Sequence, residues 1–393
     1  MPLDIGAVQE ALRADGLDGW LLYDFHGSNP VATSLVGLAG SGKMSTRRWY
    51  YMIPANGAPQ GLVHKVERHN LDELPGEKRV YAGRTELELS LGALLAGVHR
   101  LAMEYSPGGA IPYVGRVDAG TVEFVRTQGV EVVSSGDLVQ RFGACWSEEQ
   151  IAQHRDASVR LYRIKDRAFE AIGDRIGRGV PTSEHDVQQL MAGWFRDEGL
   201  VADSDPVVAV DAHAGDPHYL PSATGSAAIG REQLVLLDLW GKLRTPGAVY
   251  ADITWVGYTG ARVPDAQAAA FDAIAAARDA AIALVERAAA SGDDLRGWQV
   301  DRAARDVLEQ RGFGAAIAHR TGHSLGEEVH GNGVHMDDYE THDDRRLLPG
   351  SGFTIEPGLY FDTFGVRTEI NMVYDRGGAT VTGPTQPHVL TLA

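Results

Sequence analysis

Cysteine is almost missing from this chain: Cys145 stands alone among 393 residues. No disulfide can close within it, which fits a reducing cytoplasm. An excess of positive charge is missing too. With 53 acidic and 36 basic residues the formal charge is −17, which argues against nucleic acid or an anionic membrane as partner. Nor is there an uninterrupted apolar run of membrane length. The longest candidate, AQAAAFDAIAAARDAAIALV, is broken by Asp272, Arg278 and Asp279 and reads as an Ala-rich amphipathic helix. The start, MPLDIGAVQEALRADGLDGW, has neither the basic residues nor the apolar core of a signal peptide. GSGKMST lacks the spacing of a phosphate-binding loop. These absences leave a soluble protein expected in the cytoplasm.

What is present is a folded chain with 44% apolar and 23% charged residues, long enough for two domains. Up to position 145, helical and extended patterns alternate. GWLLYD, RRWYYMIP, RLAMEYS and VEVVSS read as strands, and residues 5–15, TELELSLGALLAGV, GTVEFVRTQG and DLVQRFGA as helices. Such alternation predicts an α/β layer fold. A boundary is expected near Trp146, where SEEQ supplies a capping box, Ser147 with Gln150, for a helix reaching Ile176. The second domain, 146–393, continues with PTSEHDVQQLMAGWFRDEG, a strand pair, helices over 264–290 and 295–311, and hairpin-like strands at the end.

The residues with chemical potential concentrate in that second part. LVLLDLWG and AVYADITWVGY read as two strands around the turn Thr245-Pro246-Gly247. Paired antiparallel about that turn, Asp238 and Asp252 come out roughly opposite each other, and carboxylates that close need a cation or a proton. Taken singly, a turn-capping Asp238 and a solvated Asp252 are the simpler readings. Glu356 lies inside the apolar GFTIEPGLYF, where a buried carboxylate demands a partner or a metal, and Pro357 and Gly358 break the strand behind it. Glu369 shares a face with Arg367 and Asn371, so Arg367 is either its ion pair or a substrate-binding cation. His319, His323 and His330 fall within twelve residues. His323 and His330 share a face on a helix but not on a regular strand, so spacing alone leaves their convergence open. His335 and His342, in HMDDYETHDD, are expected to be solvated, and His218 precedes the Asp238 strand in GDPHYLPS. If they converge, four carboxylates and an imidazole form the ligand set of two divalent metals sharing a hydroxide.

In order, PHY, D…DIT, H…GHSLG…H, IEPGLY and RTE resemble the pita-bread metallopeptidases, which comprise methionine aminopeptidases, aminopeptidase P, prolidases and, as a relative, creatinase. The resemblance covers roughly residues 150–390. The first 145 residues, with DGWLLYDFHGSNPVATSL, look like a creatinase/prolidase-type N-terminal domain of mixed sheet and helices, which points to the prolidase and aminopeptidase P branch. It implies an α/β domain over 1–145 and an α+β pita-bread catalytic domain over 146–393. Asp238, Asp252, His323, Glu356 and Glu369 match the metal ligands. His218 and His330 match the histidines that hold the substrate carbonyl, Glu356 doubles as proton shuttle, His319 lines the proline pocket, and Arg367 matches a substrate-side arginine. Two departures stand out. The Asp238–Asp252 interval is longer than the usual family spacing, and DITRT reads DITWV, with Trp255 in place of a basic residue; both bear on substrate selection.

The resemblance therefore implies an Xaa-Pro dipeptidase acting on dipeptides through a hydroxide bridging two metal ions. The oxygen-rich ligands favour manganese, with cobalt or zinc as alternatives. A homodimer is expected. The competing readings are aminopeptidase P acting on longer peptides with proline second, a metal-dependent hydrolase or lyase of a small non-peptide compound, and a non-catalytic binding module.

Overall fold

The computed structural model describes residues 3–392, which fall into two compact units, one ending at Ala144 and the other beginning at Cys145.

In the first unit, α1 (Ile5–Ala14), α2 (Pro30–Leu35), α3 (Arg84–Leu94), α4 (Ala119–Thr127) and the single turn α5 (Gly136–Val139) flank one sheet. Its strands are β1 (Gly19–Asp24), β2 (Trp49–Pro54), β3 (Gln60–His64), β4 (Glu77–Tyr81), β5 (Arg100–Met103) and β6 (Glu131–Ser134), in the order β4-β3-β2-β1-β5-β6. The sheet is mixed: β1 runs antiparallel to β2 and parallel to β5. All six residues of β1 are buried, as a central strand covered on both faces requires. Two strands escape the sequence patterns. β3 is short, and β4, EKRVY, buries only Tyr81 and closes one edge with charge, a common guard against edge pairing. Residues 40–46, GSGKMST, run irregularly between α2 and β2.

The second unit opens with α6 (Glu148–Gly177), capped by the reciprocal Ser147–Gln150 box, and α7 (Glu184–Asp197), capped by Ser183 with Asp186. Two short strands follow, β7 (Leu200–Val201) and β8 (Val207–Val210), and then the long hairpin β9 (Leu234–Leu243) and β10 (Ala251–Tyr258). Helices α8 (Asp265–Ser291) and α9 (Gly297–Gln310) come next. The chain ends with β11 (Ser351–Ile355), β12 (Gly358–Tyr360), β13 (Gly365–Arg367), β14 (Ile370–Asp375), β15 (Gly378–Val381) and β16 (Leu390–Thr391). One sheet runs β16-β10-β9-β7, with β8 also on β9; a second is β11-β14-β15, and β12 pairs β13. Among the described residues no helix is long and apolar enough to cross a membrane.

The β9–β10 hairpin separates two cores by its period of two. Leu237, Leu239, Ile253 and Trp255 face α6 and α7, among Leu161, Ile172 and Phe195. Leu234, Leu236, Val256 and Tyr258 face the other way, among Phe271, Ile274 and Val300 of α8 and α9 and Phe353 and Ile370 of the second sheet. Asp238 and Asp252 have the parity of this second face. Trp255 therefore lies across the sheet from both aspartates, beneath the Lys165 ammonium at 3.7 Å from its ring centre. There it packs with Tyr162 and Lys165 of α6.

Candidate metal centre

The hairpin places the aspartates differently from the simple expectation. Asp238 stands opposite Thr254 and Asp252 opposite Trp240, so the acids are diagonal neighbours and not a directly facing pair. The physical reason is the turn: the ladder folds about Pro246, one position beyond the midpoint of the two acids, and this shifts their register by two residues. They still share a face, within diagonal reach for side chains of this size.

The glutamates sit at the two breaks in the second half of the unit. Glu356 falls between β11 and β12, ahead of Pro357, and donates its backbone N–H to the Thr321 carbonyl at 2.7 Å. Glu369 falls between β13 and β14 and donates its N–H to the Thr254 carbonyl at 3.1 Å, which ties it to the hairpin. His323 lies in neither a helix nor a regular strand. Its N–H donates to Thr354 Oγ1 at 2.9 Å, and Thr354 N–H donates back to the His323 carbonyl at 2.9 Å. This close crossing requires Gly322, because a Cβ there would collide with the Thr354 carbonyl.

These anchors bring five side chains together. His323 Nδ1–H donates to the Ser324 carbonyl at 3.1 Å, which leaves Nε2 as the free lone pair. That atom faces Asp252 Oδ2 at 3.6 Å and Glu356 Oε1 at 3.4 Å. Donor atoms of Asp252, His323 and Glu369 all lie within 4.8 Å of one another. Asp252 Oδ1 and Glu369 Oε1 are buried with no hydrogen-bond partner. Burial first, and then the neighbouring carboxylates, push both acids well above their ordinary pKa. Asp238 is raised by burial against the opposing pull of Arg367. Glu356 alone ends below its ordinary value: burial would raise it, but His323, His319 and Arg367 prevail. Buried carboxylate oxygens without donors, facing a correctly oriented imidazole, fit divalent cations in donor type and in charge.

Asp238 joins the cluster through a second set of contacts. Its Oδ2 is paired with the Arg367 guanidinium, and Thr254 Oγ1 lies 3.0 Å from its Oδ1 and 2.7 Å from Glu369 Oε2. Arg367 also donates Nε to Thr254 Oγ1 and Nη1 to Tyr360 Oη, both at 3.0 Å. Tyr360 Oη in turn meets His319 Nε2 at 2.6 Å, while His319 Nδ1 meets the Arg320 carbonyl at 2.6 Å. Arg367 is thus the partner of Asp238 and not of Glu369, with all three guanidinium nitrogens engaged. Thr254 and Tyr360 are absent from the sequence reading, although DIT already places Asp252 and Thr254 on one strand face.

A cavity of about 430 Å³ opens over this cluster, and His218, His319, His330 and Arg367 line it together with all five candidate ligands. His330 is exposed at the rim, its ring edge-on to His323 with centres 4.4 Å apart. His218 is exposed on a loop with an unforeseen anchor. Fully buried Glu184 accepts Val210 N–H at 2.8 Å and Ala227 N–H at 2.6 Å, and also holds His213 Nδ1 and the Tyr219 hydroxyl. It therefore ties down both ends of the segment that carries His218. His342 is exposed as expected and meets Asp338 at 2.6 Å. His335 is the reverse of the expectation. It is fully buried, and its Nδ1 accepts the Ser324 N–H at 3.1 Å, so it braces the residue after His323. The polar surroundings in sequence hid this, because its partners come from a segment eleven residues away.

The profile of metallopeptidase family M24 matches residues 159–375. The probable dipeptidase PepE of Mycobacterium tuberculosis H37Rv is 28% identical over 264 residues, which are 67% of this chain and 64% of that protein. The match thus spans under two thirds of that relative's length. Among solved structures, dipeptidase PepE from Mycobacterium ulcerans superposes with a TM-score of 0.69 at 23% identity, covering 98% of this chain and 96% of its own. The prolidase from Pyrococcus horikoshii OT3 does so with a TM-score of 0.59 at 21% identity, covering 97% and 98%. At these identities the structural likeness is one of fold.

Proposed function

The chain belongs to metallopeptidase family M24 and has its pita-bread fold, and on that premise we propose that it is an Xaa-Pro dipeptidase with two divalent ions. The observation that carries the proposal is the pair of buried, donorless oxygens, Asp252 Oδ1 and Glu369 Oε1, on two residues whose donor atoms cluster with those of His323. The likeness to a probable dipeptidase and to a prolidase supports the substrate class.

Asp238, Asp252, His323, Glu356 and Glu369 would hold the ions, with manganese first among the metals because four of the five ligands are carboxylates. When bound, the ions supply Lewis acidity and a water acidic enough to ionise near neutral pH. Glu356, the acid held below its ordinary pKa, accepts the proton of the attacking water and passes it to the leaving nitrogen. His218 and His330 at the rim donate to the carbonyl oxygen as its charge develops. The nitrogen before proline has no N–H, so recognition depends on the ring, and His319 faces that ring while Tyr360 Oη holds its Nε2. Arg367 acts by fixing Asp238 and Tyr360, a role that replaces direct capture of a substrate carboxylate. A homodimer is part of the same reading.

The test is to strip the protein of metal, restore Mn²⁺, Co²⁺ or Zn²⁺ singly, and assay Xaa-Pro and Xaa-Pro-Xaa peptides. Proline release from dipeptides, greatest with Mn²⁺, is expected. Cleavage of the longer peptides alone would assign aminopeptidase P instead, and no cleavage with any metal would remove the peptidase reading.

A further inference from the structure

The strands that carry the metal cluster belong to different sheets: Asp252 lies on β10 and Glu369 just ahead of β14. Among the described residues the backbone joins them at one isolated bridge, Thr254 with Glu369. The neighbouring peptide groups of β10 are buried and need partners from elsewhere. Two side-chain amides supply them. Asn371 Oδ1 accepts the Asp252 N–H at 2.9 Å, and its Nδ2 donates to the Asp252 carbonyl. Gln386 Oε1 accepts the Val256 N–H at 3.0 Å, and its Nε2 donates to the Val256 carbonyl at 2.6 Å. Both side chains are buried. A primary amide carries a donor and an acceptor, as a strand residue does, so each replaces a missing rung.

The two clamps hold different things. Val256 is a core residue, whereas Asp252 is a candidate ligand. Asn371 also stands opposite Thr354 in the β11–β14 ladder. Thr354 in turn exchanges two hydrogen bonds with His323, its N–H to the carbonyl and its Oγ1 from the N–H, both at 2.9 Å. One row therefore runs from Asp252 through Asn371 and Thr354 to His323, beside the rung that fixes Glu369. Asp252, His323 and Glu369 are the three residues whose donor atoms cluster, and this amide holds them at one level.

We propose that Asn371 is a positioning residue of the metal centre: its amide sets Asp252 against Glu369 and His323, so that a divalent ion meets donors already spaced for it. Gln386, the same chemical device further along β10, serves the fold alone. This role rests on the metal-centre reading, but its test does not depend on turnover.

The full chain is stripped of metal and titrated with Mn²⁺ against a chelating indicator, and the melting temperature of each metal-free variant is recorded alongside. Asn371→Ala and Gln386→Ala each leave a buried N–H and a buried carbonyl unpaired, so both should melt below wild type. Only Asn371→Ala should weaken Mn²⁺ binding, by about tenfold, the lower end of the cost of losing a group that orients ligands. Asn371→Ser, too short to span both peptide groups, should show the same loss with less effect on melting, and it carries the test if the alanine variant does not fold. Unchanged affinity in the Asn371 variants, or an equal loss in Gln386→Ala, would overturn the proposal, since a seam that merely holds two sheets together would treat both amides alike. Failure of the metal-centre reading has another signature: wild type itself would bind no Mn²⁺, and the proposal would fall with it.

Discussion

Thr254 has one proton to share between two carboxylates. Its hydroxyl lies within hydrogen-bond distance of Asp238 Oδ1 and Glu369 Oε2 and accepts Arg367 Nε. Thr254→Val keeps the shape and removes all three contacts, so metal affinity should weaken about 10- to 100-fold, the usual cost of losing a group that orients ligands. Titration against a chelating indicator checks this, and an unchanged affinity would mean that the acids need no such bridge. The acids themselves predict a proton balance. Asp252 and Glu369 are pushed well above the ordinary carboxylate range without metal, so metal binding should release protons and strengthen as pH rises. Calorimetry in buffers of different ionisation heat reads the number released. The same shift has a stability counterpart. These folded carboxyls hold protons that the unfolded chain has already lost above about pH 4, so metal-free protein should lose stability as pH rises through their folded values. At this scale the acids stood out because carboxylates within apolar strands need a reason to be there, whereas His323 was singled out only by the family resemblance. His335, Tyr360 and Glu184 were not, since their roles depend on partners distant in the sequence.

At the scale of elements, α6 is held to the hairpin by a histidine. His154 is fully buried, with Nδ1 on the Tyr250 carbonyl at 2.8 Å and Nε2 on Thr382 Oγ1 at 2.9 Å. Burial, only partly offset by the Tyr250 carbonyl, lowers its pKa from 6.5 to about 4. Because the unfolded chain takes up the proton first, stability is whole above pH 6.5 and declines as pH falls towards about 4. His154→Gln should flatten that decline by at most about 1.4 kcal/mol per pH unit, measured by urea unfolding at pH 7, 6 and 5. An identical slope in the variant would show that His154 does not titrate with unfolding. The elements themselves were largely readable. Alternation marked the first unit, and SEEQ marked the start of α6. β4 was hidden because an edge strand with a single buried residue carries no apolar pattern. The offset of Asp238 from Asp252 was hidden because turn composition locates a reversal only to within a residue or so.

For the whole molecule, every candidate ligand and the cavity above them lie beyond Cys145. A fragment of residues 145–393 is therefore expected to fold and to bind metal with the affinity of the full chain. Unfolding of that fragment in isolation, or a much weakened affinity, would count against its independence. The alternation along β9 and β10 has a consequence for how this unit is made. If the hairpin slipped by one residue, Leu237, Leu239, Ile253 and Trp255 would face the cavity and Asp238 and Asp252 would be driven into the core beside α6. Such a chain would have no place for a cation. An ion bound by the native cluster would thus favour a single strand alignment over its neighbours, and refolding with a divalent metal present is expected to raise the native yield.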